Sequence, residues 1–284
     1  MRIEPDAIAA YYDDADLDFA RWSRAHHLHF GYCGWGASPL HRERMLERMS
    51  YEVLSALRLD PSKEMRMLDL GCGLGATTRL AATRFPQTHV HGLTLSEQQA
   101  KKATACSAQA GLEARATFSC ASYLAIPESP ASIDAAFALE SACYAPGLAK
   151  TGLIEEAARV LKPGGRLVVA DAFLQHARPL RGLARTFHDA LCIRWRLPCL
   201  GALDPFVQAL RDAGFTDVHV RDISLRVGPS VLHVPFLTAH AWLNTALRQD
   251  DVRRDNAMAP LYALLLALIP RTVGYYLIDA TRGP

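Results

Sequence analysis

The most restrictive feature of the sequence is a regular alternation between short apolar runs and longer amphipathic segments. Apolar runs of strand length lie at 65–70, 88–93, 115–120, 133–139, 166–170, 216–224 and 272–280. Helical periodicity and capping residues predict helices at 75–85, 96–110, 148–161 and 204–214. Strands joined through helices pair in parallel, because each connection crosses a face of the sheet. The sequence therefore predicts an α/β fold with a doubly wound, seven-stranded, mostly parallel sheet and helices on both faces.

Two of these helices carry start signals. Ser96 is followed three residues later by Gln99, the spacing of a capping box. Asp204 precedes Pro205, which predicts an N-cap followed by proline in the first helical position, with the helix ending at Gly214. Further helices are predicted at 38–59, 231–247 and 255–269. The last two form a helical insertion near the C-terminus.

Length and composition fit a single domain. The chain has 284 residues, of which 50% are hydrophobic and 21% charged, and it shows no internal repeat or linker. We divide it into an N-terminal lid with helices at 1–60, a cofactor-binding core at 61–175, and substrate-shaping helices with the final strands at 176–284. Aromatic and histidine side chains are concentrated at 11–35, including Phe19, and this concentration predicts the lid.

Charge and cysteine content limit the partners and the compartment. The net charge of +2 gives no reason to expect nucleic acid as a partner. The seven cysteines, an odd number without CxxC spacing, argue against a disulfide framework and favour a reducing, cytoplasmic location. The N-terminus lacks the apolar stretch of a signal peptide, and the run Leu261–Ile269 is shorter than the about 20 residues of a transmembrane segment. A homo-oligomer is compatible with all of these features.

A glycine-rich turn follows the first predicted strand, with the sequence Asp69-Leu70-Gly71-Cys72-Gly73-Leu74-Gly75. Glycines let the backbone turn sharply and let a ligand approach where a Cβ atom would collide. The spacing alone also fits the G-x-G-x-x-G/A turn of dinucleotide-binding folds, with Ala76 in the last place. The turn therefore predicts a nucleotide-like ligand without naming it.

Two observations argue against a dinucleotide. The residues about 20 positions further on, His91 to Thr94, include no acid that would bind ribose hydroxyl groups. Asp69 precedes the turn, where its charge would repel a pyrophosphate and attract the ammonium group of a methionine moiety, as in S-adenosylmethionine (SAM). A nicotinamide-dependent dehydrogenase is therefore the more remote alternative.

Three segments resemble motifs of a known family. The segment 68–75 resembles the first motif of class I SAM-dependent methyltransferases, and Leu-Lys-Pro-Gly-Gly-Arg-Leu at 161–167 resembles their turn into the fifth strand. Gly-Leu-Thr-Leu-Ser-Glu-Gln-Gln at 92–99 is similar to the G-[IVL]-T-L-S-x-x-Q segment of the sterol, tocopherol, geranyl diphosphate and cyclopropane-fatty-acid methyltransferases. The resemblance covers residues 10–225, and it implies an enzyme with the Rossmann-like methyltransferase fold and SAM as its cofactor.

The resemblance also implies the cofactor contacts. They are Asp69, Gly71, Cys72, Gly73, Thr94, Leu95, Gln99, Ser122, Tyr123 and Glu140. Ser122 stands where an acid commonly contacts the adenine amino group, which leaves Tyr123 to cover the ring. A histidine of the cyclopropane-forming enzymes is absent from Arg166 to Asp171, and simple methylation is therefore favoured over cyclopropanation.

The catalytic residues follow from the same branch. Leu-Glu-Ser-Ala-Cys-Tyr-Ala-Pro at 139–146 is similar to the E-[AS]-x-x-[HY]-x-P stretch of the sterol enzymes. Tyr-Tyr-Asp at 11–13, Trp22 and His-Phe-Gly-Tyr at 29–32 resemble the entrance of those enzymes. From these segments we predict the catalytic residues Glu140, Tyr12, His29 and Tyr144.

Attack of an alkene on the methyl group would leave a carbocation, which imposes two requirements on the site. Aromatic rings stabilise such a cation, and a carboxylate can remove the proton that ends it. Candidate rings are Tyr12, Trp22, Phe30, Tyr32 and Tyr144. Glu140 is either the base or a residue that orients the cofactor or the lid, and the sequence leaves both roles open.

Other motifs support weaker hypotheses. His26, His27 and His29 lie close together, but their spacing matches no definite metal motif, and we predict no metal ligands. Arg194 and Arg196 flank Trp195, which fits either a grip on a diphosphate or carboxylate head group or a solvated helix face. Mg²⁺ would be needed only if the substrate is a diphosphate.

The sequence therefore predicts a SAM-dependent methyltransferase of natural product biosynthesis that acts on a small, largely apolar metabolite. The apolar region 231–278 favours an isoprenoid, sterol or prenylquinone methylated at carbon. Two alternatives stay open: O- or N-methylation of an aromatic natural product, and a non-catalytic regulatory protein that binds SAM.

Overall fold

The computed structural model describes residues 3–14, 22–234 and 251–284, with the backbone alone for 251–257. Its strands are β1 Met65–Leu70, β2 Thr88–Thr94, β3 Ala116–Cys120, β4 Ile133–Leu139, β5 Leu161–Leu174, β6 Gly201–Ala202, β7 Phe215–Asp222 and β8 Val273–Arg282. They form one sheet in the order β3-β2-β1-β4-β5-β8-β7, with the short β6 beside β5. Strands β1 to β5 pair in parallel, and β8 runs antiparallel to both of its neighbours. The predicted doubly wound sheet is confirmed, with β6 as an added strand.

Helices precede and connect these strands. They are α1 Pro5–Asp14, α2 Arg42–Ala56, α3 Ala76–Arg84, α4 Glu97–Gln109, α5 Thr151–Val160, α6 Gly182–Arg194, α7 Leu203–Asp212, α8 Ser224–Val231 and α9 Asp251–Ala267. A short 3₁₀ turn, Ala142–Tyr144, follows β4. Among the described helices none is long and apolar enough to cross a membrane.

Alternate residues of each central strand pack against helices on opposite faces. Met67 and Phe137 join the core cluster that includes α2 and α3. Leu68 and Ala136, their neighbours in sequence, join the cluster that includes α5 and α7. This period of two is what a strand imposes on its side chains, and helices therefore cover both faces as predicted.

A third apolar cluster lies beyond the end of β5 and joins α6 to α9. Leu191, Leu197, Leu200 and Leu266 are among its buried members, and Tyr144 packs against it. Burial of leucine side chains stabilises such a cluster by about 1.5–3 kcal/mol each. This cluster holds α6 and α9 beside the carboxyl end of β5.

The structure corrects some element boundaries. Asp204 is not the N-cap of its helix, because the pairing of β6 with β5 leads directly into α7, and Ala202 is the capping residue. Strand β5 is longer than 166–170, since Leu161 already pairs with Ile133. Helix α6 was not predicted. The predicted helix 231–247 lies outside the described residues beyond 234.

Candidate functional site

A cavity of about 780 Å³ opens at the carboxyl ends of β1, β2 and β4. All but one of the predicted site residues line it: Tyr12, His29, Asp69, Gly71, Cys72, Gly73, Thr94, Leu95, Gln99, Tyr123, Glu140 and Tyr144. The carboxyl ends of neighbouring parallel strands share one edge of the sheet, and this topology gathers residues that are far apart in sequence.

The glycine turn forms the floor of the cavity. Gly71, Gly73 and Gly75 have φ angles of 112°, 52° and 75°, in the region that favours glycine. A Cβ atom on Gly71 would lie 2.3 Å from Cβ of Ser141, and one on Gly73 would lie 2.7 Å from Cδ1 of Leu28. The turn is therefore packed between the end of β4 and the segment that leads to α2, and even alanine would displace one of them.

Asp69 is buried beneath this turn. The hydroxyl group of Thr78 donates to Asp69 Oδ2 at 2.7 Å. Burial raises the pKa of Asp69 to about 7, and the hydrogen bond from Thr78 only partly opposes it. A cationic ligand stabilises a buried carboxylate, because the cation replaces the favourable interactions that the carboxylate had with water.

The end of β2 is organised by side-chain hydrogen bonds. Thr94 donates from Oγ1 to Gln99 Oε1 at 2.7 Å, which fixes the orientation of the Gln99 amide group. Ser96 caps α4 as predicted, since its Oγ accepts from Gln99 N at 3.0 Å. Asp13 of α1 accepts a hydrogen bond from the same Ser96 hydroxyl group, which ties α1 to the rim of the cavity.

Tyr123 lines the cavity, whereas Ser122 does not. The hydroxyl group of Tyr123 donates to the carbonyl oxygen of Ser141 at 2.8 Å, and the ring lines the cavity. Ser122 is absent from the described lining, and its Oγ accepts from the backbone N–H of Leu124 at 3.1 Å. The structure therefore does not bring Ser122 to the site, and Ala121 lies at the wall in its place.

Glu140 connects three parts of the chain at the cavity wall. Its Oε1 accepts from the backbone N–H of Phe30 and from the hydroxyl group of Tyr275, each at 2.7 Å. Burial raises the pKa of Glu140 to about 8, while the two hydrogen bonds lower it and the nearby Asp171 raises it further. One carboxyl oxygen thus holds the N-terminal segment against β8, and the second oxygen has no partner among the described residues.

Tyr12 of α1 and Tyr144 of the 3₁₀ turn meet across the cavity. Tyr12 donates to the hydroxyl oxygen of Tyr144 at 2.9 Å, and the ring centroids are 5.7 Å apart. Burial raises the pKa of both phenols well above the ordinary value, so both stay neutral. Both rings belong to the cavity wall, as the catalytic prediction requires.

His29 also lines the cavity, but both of its ring nitrogens bind protein atoms. Nδ1 lies 2.8 Å from the carbonyl oxygen of Phe30, and Nε2 lies 3.1 Å from Nδ1 of His27 and 3.3 Å from Oγ of Ser50. Burial lowers the pKa of His29 to about 3. These contacts favour a positioning role for His29 rather than direct contact with a substrate.

The remaining candidate rings pack away from the described cavity. Phe30 lies between Trp22 and Trp195, with ring centroids 5.9 Å and 6.4 Å apart. Tyr32 joins the cluster beneath α2, and Phe19 lies outside the described residues. Of the predicted aromatic wall, only Tyr12 and Tyr144 line the described cavity.

The Arg194-Trp195-Arg196 segment also lies away from the described cavity. The guanidinium group of Arg194 lies 4.6 Å above the ring of Tyr262, and none of the three residues is part of the described lining. In the part of the chain that the structure describes, no three metal-binding side chains cluster.

Tyr275 and His27 are site residues that the sequence did not single out. Tyr275 lies on β8, 135 positions from Glu140, and no local motif marks it. His27 lines the cavity together with His26 and His29, but the sequence motif singled out only His29 of the three.

Comparison with known proteins agrees with this geometry. The profile of a family described as a methyltransferase domain matches residues 67–165. The 27-O-demethylrifamycin SV methyltransferase of Amycolatopsis mediterranei (strain S699) is 32% identical over 88% of this chain and 85% of its own length. Cycloartenol-C-24-methyltransferase 1 of Oryza sativa subsp. japonica is 30% identical over 77% of this chain. This chain spans 61% of that rice enzyme.

The chain belongs to the class I SAM-dependent methyltransferases. The predicted family and its cofactor type are thereby confirmed. The crystal structure of the [4+2]-cyclase SpnF has the same fold, with a TM-score of 0.81 and 24% identity over 100% of this chain and 97% of the cyclase. The same architecture thus occurs in a protein named for a cyclisation, and the acceptor of this methyltransferase family member has to be argued from its own cavity.

Proposed function

We propose that this chain transfers the methyl group of SAM to a small, largely apolar metabolite of the isoprenoid, sterol or prenylquinone type, at a carbon atom. One observation carries the proposal. The half-buried Glu140 lines the same cavity as the glycine turn and the Tyr12–Tyr144 pair. A methyl donor, an aromatic wall and a proton acceptor would then meet in one pocket.

The residues that line the cavity suit SAM in charge and in the groups they offer. When bound, SAM supplies an electrophilic methyl group on a sulfonium ion. Gly71 and Gly73 line the cavity with backbone, since a side chain on either would collide with Ser141 or Leu28, and Asp69 offers a buried carboxyl group to a cation. Thr94, Leu95 and Gln99 would bind the ribose, and Tyr123 would cover the adenine ring. Cys72 would contribute its backbone to the turn.

Glu140 supplies the proton acceptor in this proposal. With a pKa of about 8, the carboxylate is a stronger base than an ordinary glutamate and is still partly ionised at neutral pH. Oε1 is held by Phe30 and Tyr275, which leaves the other oxygen for the proton that a methylated alkene has to lose. Tyr12 and Tyr144 would stabilise the preceding carbocation through their rings by about 0.5–2 kcal/mol each.

The charges at the site favour an acceptor without an anionic head group. Asp69 and Glu140, when ionised, repel anions from the cavity. Arg194, the candidate for binding a diphosphate, instead stacks on Tyr262. We therefore place sterols and prenylquinones before prenyl diphosphates, and Mg²⁺ is required in the proposal only for the latter.

Methylation of an oxygen atom is the second candidate. It is supported by the 27-O-demethylrifamycin SV methyltransferase, whose name indicates methylation at an oxygen atom. The match with this chain covers 85% of the length of that relative. The same carboxyl group would then accept the proton of a hydroxyl group, and the rings of Tyr12 and Tyr144 would act as packing surfaces alone.

A panel assay tests the proposal. Purified protein is incubated with SAM carrying a ¹³C-labelled methyl group and with sterols, prenylquinones, prenyl diphosphates or phenols, each with and without Mg²⁺. Mass spectrometry identifies a product, and the ¹³C chemical shift tells a C-methyl from an O-methyl group. A new C-methyl group on a sterol or prenylquinone is the expected result. An O-methyl product supports the second candidate, and SAM binding without any transfer supports a regulatory protein.

A further inference from the structure

His27 has no part in the function proposed above, although it lies in the cavity wall. Its side chain is buried, and the next residue, Leu28, covers Gly73 of the glycine turn. Its ring contacts the ring of His29 edge to face, with centroids 5.0 Å apart. The hydrogen bonds around these two rings determine which nitrogen of His27 carries a proton.

The hydrogen bonds of the two rings end at a backbone carbonyl group, which can only accept. The oxygen of Phe30 can only accept, so His29 Nδ1, at 2.8 Å, must carry a proton. A neutral His29 then has a bare Nε2 that can only accept, and the atoms within reach of it are His27 Nδ1 at 3.1 Å and Ser50 Oγ at 3.3 Å. Two bare nitrogens at 3.1 Å would repel each other, so His27 Nδ1 carries a proton, and in a neutral imidazole its Nε2 holds a lone pair that can accept a hydrogen bond.

Both rings are held in the neutral state. Burial lowers the pKa of His27 to about 4 and that of His29 to about 3. The guanidinium group of Arg79, which donates to the carbonyl oxygens of Leu74 and Ala25, lowers the pKa of His27 further. In the described parts of the chain no carboxylate pairs with either ring. At neutral pH His27 is thus a hydrogen-bond acceptor and too weak a base to deprotonate a hydroxyl group.

The position of His27 indicates which group it meets. The strand order β3-β2-β1 places Tyr123, then Thr94 to Gln99, then the glycine turn in succession along the edge of the sheet. With adenine at Tyr123 and ribose at Thr94 to Gln99, the methionine part of SAM lies at the glycine turn, beside Leu28 and His27. The only hydrogen-bond donor in the methionine part of SAM is its α-ammonium group, since its carboxylate only accepts.

We propose that Nε2 of His27 accepts a hydrogen bond from the α-ammonium group of SAM. This inference rests on the proposed function, because it takes SAM as the ligand. His27 is then a cofactor-binding residue. His29, Ser50 and the carbonyl group of Phe30 position it by fixing its tautomer.

The test compares two ligands and two variants by titration calorimetry. S-adenosylhomocysteine carries the α-ammonium group, and its deamino analogue lacks it. In His27→Asn the amide N–H can replace the donor to His29, but no acceptor remains at the place of Nε2. We expect this variant to bind S-adenosylhomocysteine about 10- to 100-fold more weakly and the deamino analogue with unchanged affinity. His91→Leu, on the outer part of β2, should change neither affinity.

Several results would overturn the inference. Equal losses for both ligands in His27→Asn would make His27 a packing residue, and unchanged affinity for both would remove it from the site. Detection of an Nε2–H tautomer by long-range ¹H–¹⁵N correlation in the wild-type protein would overturn it independently of any variant. Failure of the wild-type protein to bind either ligand would instead overturn the proposed function, and the inference with it.

Discussion

The two sides of the cavity are built in different ways. The cofactor side consists of turns that directly follow β1, β2 and β3, and the hydrogen bonds at the end of β2 join residues three and five positions apart. The acceptor side is assembled from α1, the 22–33 segment, the 3₁₀ turn and β8, which are joined by hydrogen bonds over more than a hundred positions. A ligand common to a family can rely on local turns, whereas the surface that meets the acceptor depends on distant contacts.

The largest effect is expected at Glu140, where the two sides meet. Glu140→Gln keeps the size of the side chain and can still accept from Phe30 and Tyr275. Loss of the base should lower kcat by about 10²- to 10⁴-fold while SAM affinity changes little. In the wild-type protein the ionised form is the active one, so kcat/KM should rise as pH increases through about 8. The slope should be absent from the variant.

Stopped assays across pH 6 to 9, combined with calorimetry for SAM, provide this measurement. Full activity of Glu140→Gln would leave Glu140 as a link between the lid and β8. A parallel loss of SAM affinity would show instead that Glu140 belongs to the cofactor side of the cavity.

The next largest effect is expected on the cofactor side alone. In Gly71→Ala the new Cβ atom would meet Ser141 at 2.3 Å and displace the turn. A misplacement of about 1 Å at such a site costs about 100-fold in kcat/KM, and the overlap costs about 1–3 kcal/mol of stability. Gly111→Ala is the matched control, because Gly111 also has positive φ but has no atom within 4 Å of its added Cβ.

Gly111→Ala should cost only the backbone strain of about 1–2 kcal/mol and leave SAM affinity unchanged. Thermal unfolding and calorimetry on both variants separate strain from displacement. Equal loss of SAM binding in the two would contradict the idea that contact with Ser141 shapes the turn.

The smallest effect is expected from two variants that each remove one hydroxyl group, one on each side of the cavity. Tyr144→Phe removes the partner of Tyr12 on the acceptor side, and Tyr123→Phe removes the donor to Ser141 on the cofactor side. Each loss is worth about 0.5–1.5 kcal/mol, or about 2- to 10-fold in an equilibrium constant. Tyr144→Phe should raise KM for the acceptor, and Tyr123→Phe should raise KM for SAM. The reverse pattern in steady-state kinetics would show that Tyr144 does not belong to the acceptor side and that Tyr123 does not belong to the cofactor side.

Sequence reasoning reached the cofactor side because its signals are local. Ser96 and Gln99 form the predicted cap, and the glycine turn follows the predicted strand directly. The same reasoning failed at Asp204, where pairing of β6 with β5 outweighed a local capping preference. Tyr275 could not be predicted as a partner of Glu140, because only the antiparallel insertion of β8 beside β5 brings them together. The roles of the site residues remain predictions that the variants above test.

The position of β8 between β5 and β7 also has a consequence for how the protein is made. The ribosome produces β8 after every other strand of the sheet, yet β8 pairs with β5 from Arg166 to Leu174 and separates β5 from β7. Until it emerges, a nascent chain presents an open strand edge that can pair with other chains. Tyr275 arrives with β8 and completes the hydrogen bonding of Glu140, so the acceptor side of the pocket matures last in biosynthesis.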